Sequence, residues 1–186
     1  DAPVLPDPRR ADLGFGLLRS RQRLDRAGRA DLRAERALVL AVPDPRDEDR
    51  RPDGQDPSLV ERVLAKLGFA SRPAADRAGL ALLYAAWVRN VPFDNTRKLI
   101  ALRAGRPGAL PGDSPRGFLE GWLADGAGGT CWAMHGAWTE LLRACGFRAE
   151  RGIATMLVAP DLPPNHGTTS AQIDGETVLV DACIQH

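Results

Sequence analysis

The sequence has no surplus of charge of either sign: 25 basic and 24 acidic side chains in 186 residues leave a net +1. A nucleic-acid scavenger or a polybasic membrane binder needs a one-signed surface, so neither is expected as a role or a partner. Long hydrophobic runs are missing too. The longest apolar stretch, Gly79 to Val88, is far short of the roughly 18 residues a membrane helix requires. Lysine is almost absent, since all but Lys66 and Lys98 of the 25 basic residues are arginine. With so much alanine and glycine, this reflects the codon bias of a GC-rich genome and says more about source than ligand. Cysteine is sparse: Cys131, Cys145 and Cys183 are an odd number without metal-type CxxC spacing. No signal-peptide pattern precedes them, so reduced thiols in a cytoplasmic compartment are expected. No internal repeat is visible.

What is present suffices for a packed core, at 44% apolar residues, and the length suits one domain or one domain plus an appendage. Residues 1–56 hold 12 arginines, 12 acidic residues and six prolines. Apart from a possible helix through Asp12 to Leu40, they read as a solvated appendage, with a basic interaction arm as the alternative. A helical part is expected over 57–126. Ser58 can cap a helix to Leu67 closed by Gly68, and a second helix from Ala74 to Arg89 carries Leu80, Leu83, Tyr84 and Trp87 on one stripe. Asn90 to Asn95 is a proline-broken connector. Residues 105–117, with four glycines and three prolines, read as loop, and Phe118 to Asp125 as a short helix.

Residues 127–186 are expected to hold a helix from Cys131 to Cys145 ended by Gly146, followed by strands. Ala137, Trp138, Leu141, Leu142 and Cys145 form the buried stripe of that helix. Phe147 to Val158 reads as strand. Thr168 to Ile173 and Glu176 to Cys183 flank Asp174-Gly175, a strong hairpin signal. The fold class is therefore α+β, and the stop at His186 without an obvious finishing element leaves open whether the chain is a fragment.

Cys131 begins its helix with Thr130 as N-cap, where free backbone N–H groups and the helix dipole lower a thiol pKa. Gly128 and Gly129 would let backbone approach a substrate, and nearby N–H groups could bind an oxyanion. A buried structural cysteine is the competing reading. Turning the hairpin at Asp174-Gly175 pairs Ile173 with Glu176, which brings His166 and Asp181 onto one face as diagonal neighbours. Asp181 could then orient the imidazole while the other ring nitrogen takes a proton from Cys131. Alternatively, Asp181 ends an edge strand facing water and His166 is a surface histidine. Cys145 reads as core. No metal site is indicated, because no His and Cys share ligand spacing on one element.

Val91-Pro92-Phe93-Asp94-Asn95, Gly128-Gly129-Thr130-Cys131, Leu141-Leu142 through Gly146-Phe147, His166 and Leu179-Val180-Asp181 together resemble the arylamine N-acetyltransferases. That family belongs to the transglutaminase-like, papain-like cysteine enzymes, and the resemblance covers about residues 57–186. It implies a helical N-terminal part, then a papain/transglutaminase-like core in which a helix with Cys131 at its N-terminus packs on an antiparallel sheet. It also implies ping-pong acyl transfer: Cys131 takes an acetyl group from acetyl-coenzyme A, a donor substrate rather than a resident cofactor, and passes it to an arylamine-type small-molecule amine. His166 would be the base and Asp181 its orienting carboxylate, with Phe93, Gly129, Thr130 and Trp132 contributing to substrate binding.

Five departures stand out. The family's arginine before the two glycines is Ala127, and its glutamate two residues after the cysteine is Ala133; losing both leaves no orphan charge. Its asparagine four residues after the cysteine is His135, able to tune the site or simply be surface. After Asp181 the chain runs Ala182-Cys183-Ile184-Gln185 where the family has Val-Gly-Phe-Gly, and the family's third domain would begin near the end of this sequence. An amidase, peptidase or amide synthase would use the same triad, and a degenerate binding or scaffold domain is the non-enzymatic alternative.

Overall fold

The computed structural model describes Val42–Pro43 and residues 57–105, 107–156 and 163–183. The expected helix through Asp12 to Leu40, and nearly all of the charged segment 1–56, lie outside the described residues. Within that segment, Val42–Pro43 (β1) pairs antiparallel with Ala149–Ala154 (β2), Val42 opposite Ile153.

Among the described residues, four helices precede the one that carries Cys131. Pro57–Lys66 (α1) is followed by Gly68 at φ 94°, the left-handed position that ends a helix most readily with glycine. Arg77–Asn90 (α2) starts three residues later than the apolar pattern suggested, because Asp76 caps it: its carboxylate accepts the Gly79 N–H at 2.7 Å. Thr96–Arg103 (α3) was not expected; it buries only Ala101, so the sequence offers no apolar stripe to reveal it. Pro115–Asp125 (α4) begins inside the stretch read as loop. Ser114 accepts the Gly117 N–H at 3.1 Å, Pro115 occupies the first turn, and Gly126 closes the helix at φ 76°.

Cys131–Ala144 (α5) is the centre of the packing. It contacts α4 as well as β2 and His166–Ile173 (β3). Trp138 on α5 meets Trp87 of α2 at 5.2 Å between ring centroids, and Trp87 stacks on Phe118 of α4 at 6.1 Å. With Leu83, Trp122, Leu141 and Leu142, these fully buried side chains form the core. Burial of each such ring contributes a few kcal/mol, so this cluster dominates the fold's stability.

The sheet runs β1-β2-β3-β4, with Glu176–Val180 as β4, and every pairing is antiparallel. Asp174 (φ 54°) and Gly175 (φ 78°) turn the β3–β4 hairpin, both left-handed as a two-residue type I′ turn demands. Ile173 accordingly pairs with Glu176, and the ladder extends to Thr169 opposite Val180. The strand expected from Phe147 to Val158 is shorter, Ala149–Ala154; residues 157–162 lie outside the described ones. The described chain is thus an α+β arrangement of helices packed on an antiparallel sheet. No described helix is long and apolar enough to cross a membrane.

Candidate active site

The first turn of α5 is fixed in space by the connector after α2. The Asp94 carboxylate accepts the Gly128 N–H at 2.8 Å, and Asp94 N–H reaches the Gly129 carbonyl at 3.1 Å. Phe93 forms a parallel bridge with Gly129. A side chain on Gly128 would strike the Pro92 carbonyl, and one on Gly129 would crowd the Phe118 ring. The room left by these glycines is therefore filled by the protein itself. Thr130 has N-cap backbone geometry, but its hydroxyl makes no capping bond; it accepts from Lys98 Nζ at 2.7 Å.

Cys131 is half-buried at the start of α5 and hydrogen-bonds His166. His166, the first residue of β3 and 7% exposed, places Nε2 at 2.6 Å from Asp181 Oδ2. That leaves Nδ1 for the sulfur. β3 can press this closely on α5 because Gly167 has no side chain; a Cβ there would lie 3.1 Å from the Cys131 carbonyl oxygen. Asp181 sits one residue beyond β4, and its other oxygen, Oδ1, accepts from His135 Nε2 at 3.1 Å and Cys183 N–H at 2.9 Å.

The electrostatics follow from these contacts. Burial pushes the Cys131 thiol up, but the bonds from His166 and the Gly167 N–H, the imidazole's charge and the Trp132 N–H outweigh it, so its pKa is lowered. His166 is raised to about 9 by its hydrogen bonds to Asp181 and Cys131, against the pull of burial. Burial opposes the charge on Asp181 too, yet its histidine donors hold it well below the usual carboxylate range. The other two thiols go the opposite way. Burial raises Cys145, and burial plus the Asp181 charge push Cys183 well above an ordinary thiol. Among the three, only Cys131 is shifted toward the thiolate, beside an imidazole whose own pKa is raised.

His135 departs from the surface reading: it is completely buried, bonded to Asp181 through Nε2 and to Thr169 Oγ1 through Nδ1 at 2.9 Å. Its sequence signal was the four-residue spacing from Cys131, which puts both on one side of the helix. Asp94, Lys98 and Thr169 also organise the site without having been singled out for it. The donor atoms of His135, Asp181 and Cys183 lie within 4.8 Å of one another, so α5 and the segment after β4 do bring metal-ligating types together. Asp181 Oδ1, however, already receives two N–H donors, which occupy the lone pairs a metal would need.

Of the four residues expected near substrate, Phe93 is exposed, and Gly129 and Thr130 form the entry to α5. Trp132 lies half-buried, with the Arg151 guanidinium 4.9 Å over its ring. Ala133 is buried near Phe118 and Gly129. A surface cavity of about 350 Å³ opens instead beside α3 and the start of α4, lined by Arg97, Leu110, Gly112 and Ser114 among others, and no member of the Cys-His-Asp group lines it.

The chain is similar to solved structures of arylamine N-acetyltransferases. The Mycobacterium smegmatis arylamine N-acetyl transferase is 29% identical over 65% of this chain and 44% of its own, with a TM-score of 0.52. A cysteine-to-glutamine variant of the Mycobacterium smegmatis N-arylamine acetyltransferase is 27% identical over 67% of this chain and 46% of its own, at TM-score 0.54. The chain thus spans less than half the length of these structures. No family model matches it, and no curated protein matches it significantly.

Proposed function

We propose that this partial arylamine N-acetyltransferase-like chain carries the nucleophile, base and orienting carboxylate of an acyltransferase, in a papain-like core. The observation that carries the reading is the hydrogen-bonded series Cys131–His166–Asp181 at the junction of α5 and the β3–β4 hairpin. The likeness to the mycobacterial enzymes supports the choice of acyl transfer among thiol chemistries.

In this reading the Cys131 thiolate attacks the thioester carbonyl of acetyl-coenzyme A. The His166 imidazolium gives its proton to the departing coenzyme thiolate, leaving a neutral imidazole and an acetyl-cysteine. An arylamine or hydrazine then attacks that acetyl group, His166 Nδ1 takes the amine proton, and the Cys131 thiolate leaves. Asp181 fixes the ring so that Nδ1 faces sulfur throughout and stabilises the imidazolium. Backbone N–H groups at the first turn of α5, which lack intrahelical partners, would stabilise the oxyanion.

The test is incubation with acetyl-coenzyme A followed by intact mass and peptide mapping. One acetyl group on Cys131, absent in Cys131→Ser and discharged by an aromatic amine, is the expected result. An acetyl-enzyme that water discharges as fast as amine would make this a hydrolase. A Cys131 no more reactive than a model thiol would leave a scaffold domain.

A further inference from the structure

Two histidines hold Asp181, and the acyl-transfer chemistry uses only one of them. His135 is completely enclosed, on α5 one turn beyond Cys131. An ionised carboxylate only accepts hydrogen bonds, so the His135 nitrogen facing Asp181 Oδ1 at 3.1 Å, Nε2, carries the hydrogen. The neutral ring then accepts at Nδ1 from the Thr169 hydroxyl, 2.9 Å away on β3. Thr139 packs beside this pair: its hydroxyl donates to the His135 carbonyl at 2.7 Å and lies 2.9 Å from that of Thr169. Burial lowers the pKa of His135, which keeps the ring neutral and this tautomer in place.

A buried imidazole could be a mere spacer. Two features argue otherwise: both ring nitrogens are bonded, and one bond goes to the oxygen of Asp181 that His166 does not use. The two rings lie 5.8 Å apart, close to perpendicular at 78°, on opposite oxygens of one carboxylate. Cys131, His135 and Thr139 also recur every four residues, so nucleophile and clamp share one rigid helix.

We infer that His135 is a positioning residue: by gripping Asp181 Oδ1 it aims Oδ2 at His166, and so sets the pH window in which Cys131 and His166 form their ion pair. This rests on the Cys131–His166–Asp181 reading proposed above. Other ionisable groups facing the cluster are Tyr84 from α2, Arg151 from β2 and Cys183 after β4, with Lys98 of α3 bonded to Thr130. They are common to every variant compared.

The test is the pH profile of Cys131 alkylation by iodoacetate, read by peptide mass, in the wild type, His135→Leu, His135→Gln and Thr169→Val, with circular dichroism to report folding. In His135→Leu the alkaline limb should fall from about 9 by about one pH unit or more, and the acidic limb should rise toward an ordinary thiol. His135→Gln keeps an N–H donor near the position of Nε2 and should restore most of both limbs. Thr169→Val should move them the same way by less. If His135→Leu does not fold, the glutamine and valine variants carry the test. The inference is overturned if a folded His135→Leu keeps both limbs, or if glutamine restores nothing. A wild-type profile with one step at the ordinary thiol pKa would instead sink the Cys131–His166 reading itself.

Discussion

Along one stripe of α5, Ala137, Trp138, Leu141 and Leu142 are completely enclosed by apolar side chains of the helical layer; along another, His135 and Thr139 are enclosed to the same degree by Thr169, Asp181 and the sheet. The first stripe is held by non-directional burial, which tolerates a change of shape at a graded cost. The second is held by hydrogen bonds with fixed donors and acceptors, where one unmatched group in a dry site costs about 1–3 kcal/mol. Equal burial therefore does not mean equal purpose. The apolar stripe fixes where α5 lies, and the polar one fixes how the groups around Cys131 are oriented.

That comparison can be broken from either side. Cys131→Ser should abolish acetyl-enzyme formation while leaving the melting temperature nearly unchanged, as read by intact mass and calorimetry. Asp181→Asn should lower the acylation rate by about 10³–10⁴-fold, because an amide cannot enforce the same imidazole orientation and tautomer; stopped-flow release of coenzyme thiol measures it. Trp138→Ala should do the converse. It should cost about 3–5 kcal/mol in urea unfolding, while folded protein keeps the limbs of its alkylation profile. Thr139→Val removes one hydroxyl from the polar stripe and should cost only about 1 kcal/mol, with a small shift in those limbs.

The pH dependence of stability sharpens the same contrast. Asp181 has a depressed folded pKa, so its contribution is fully present above an unfolded value of about 3.9 and is lost as pH falls below it. His166 is raised to about 9, so its contribution is fully present below about 6.5 and is lost as pH rises through about 9. The stability gap between wild type and Asp181→Asn should therefore narrow at both extremes. The gap for Trp138→Ala should stay flat across that range. Urea titrations at several pH values measure both.

How much of this was legible in the sequence follows the same division. The Asp174-Gly175 turn fixes a hairpin register by local chemistry, and that register brings His166 and Asp181 together. Glycines before Cys131 and after Cys145 mark both ends of α5. Trp138 and its apolar neighbours recur at helical spacing. The start of α4 was legible in Ser114-Pro115, but the count of glycines and prolines around it outweighed that cue. α3 carries no such signal, because it buries almost nothing. The partners of His135 were illegible for another reason: Thr169 lies 34 positions away and Asp181 lies 46, on the far side of a helix–sheet contact that no local pattern encodes.

The central claim, that Cys131 is a thiolate held by an oriented imidazolium, is tested most directly by the wild-type rate of iodoacetate alkylation at Cys131 across pH. The account predicts a bell: a rising limb below the ordinary thiol value of about 8.5 and a falling limb near 9, where His166 loses its proton. A single rise centred at the ordinary thiol value, with no alkaline fall, would contradict it.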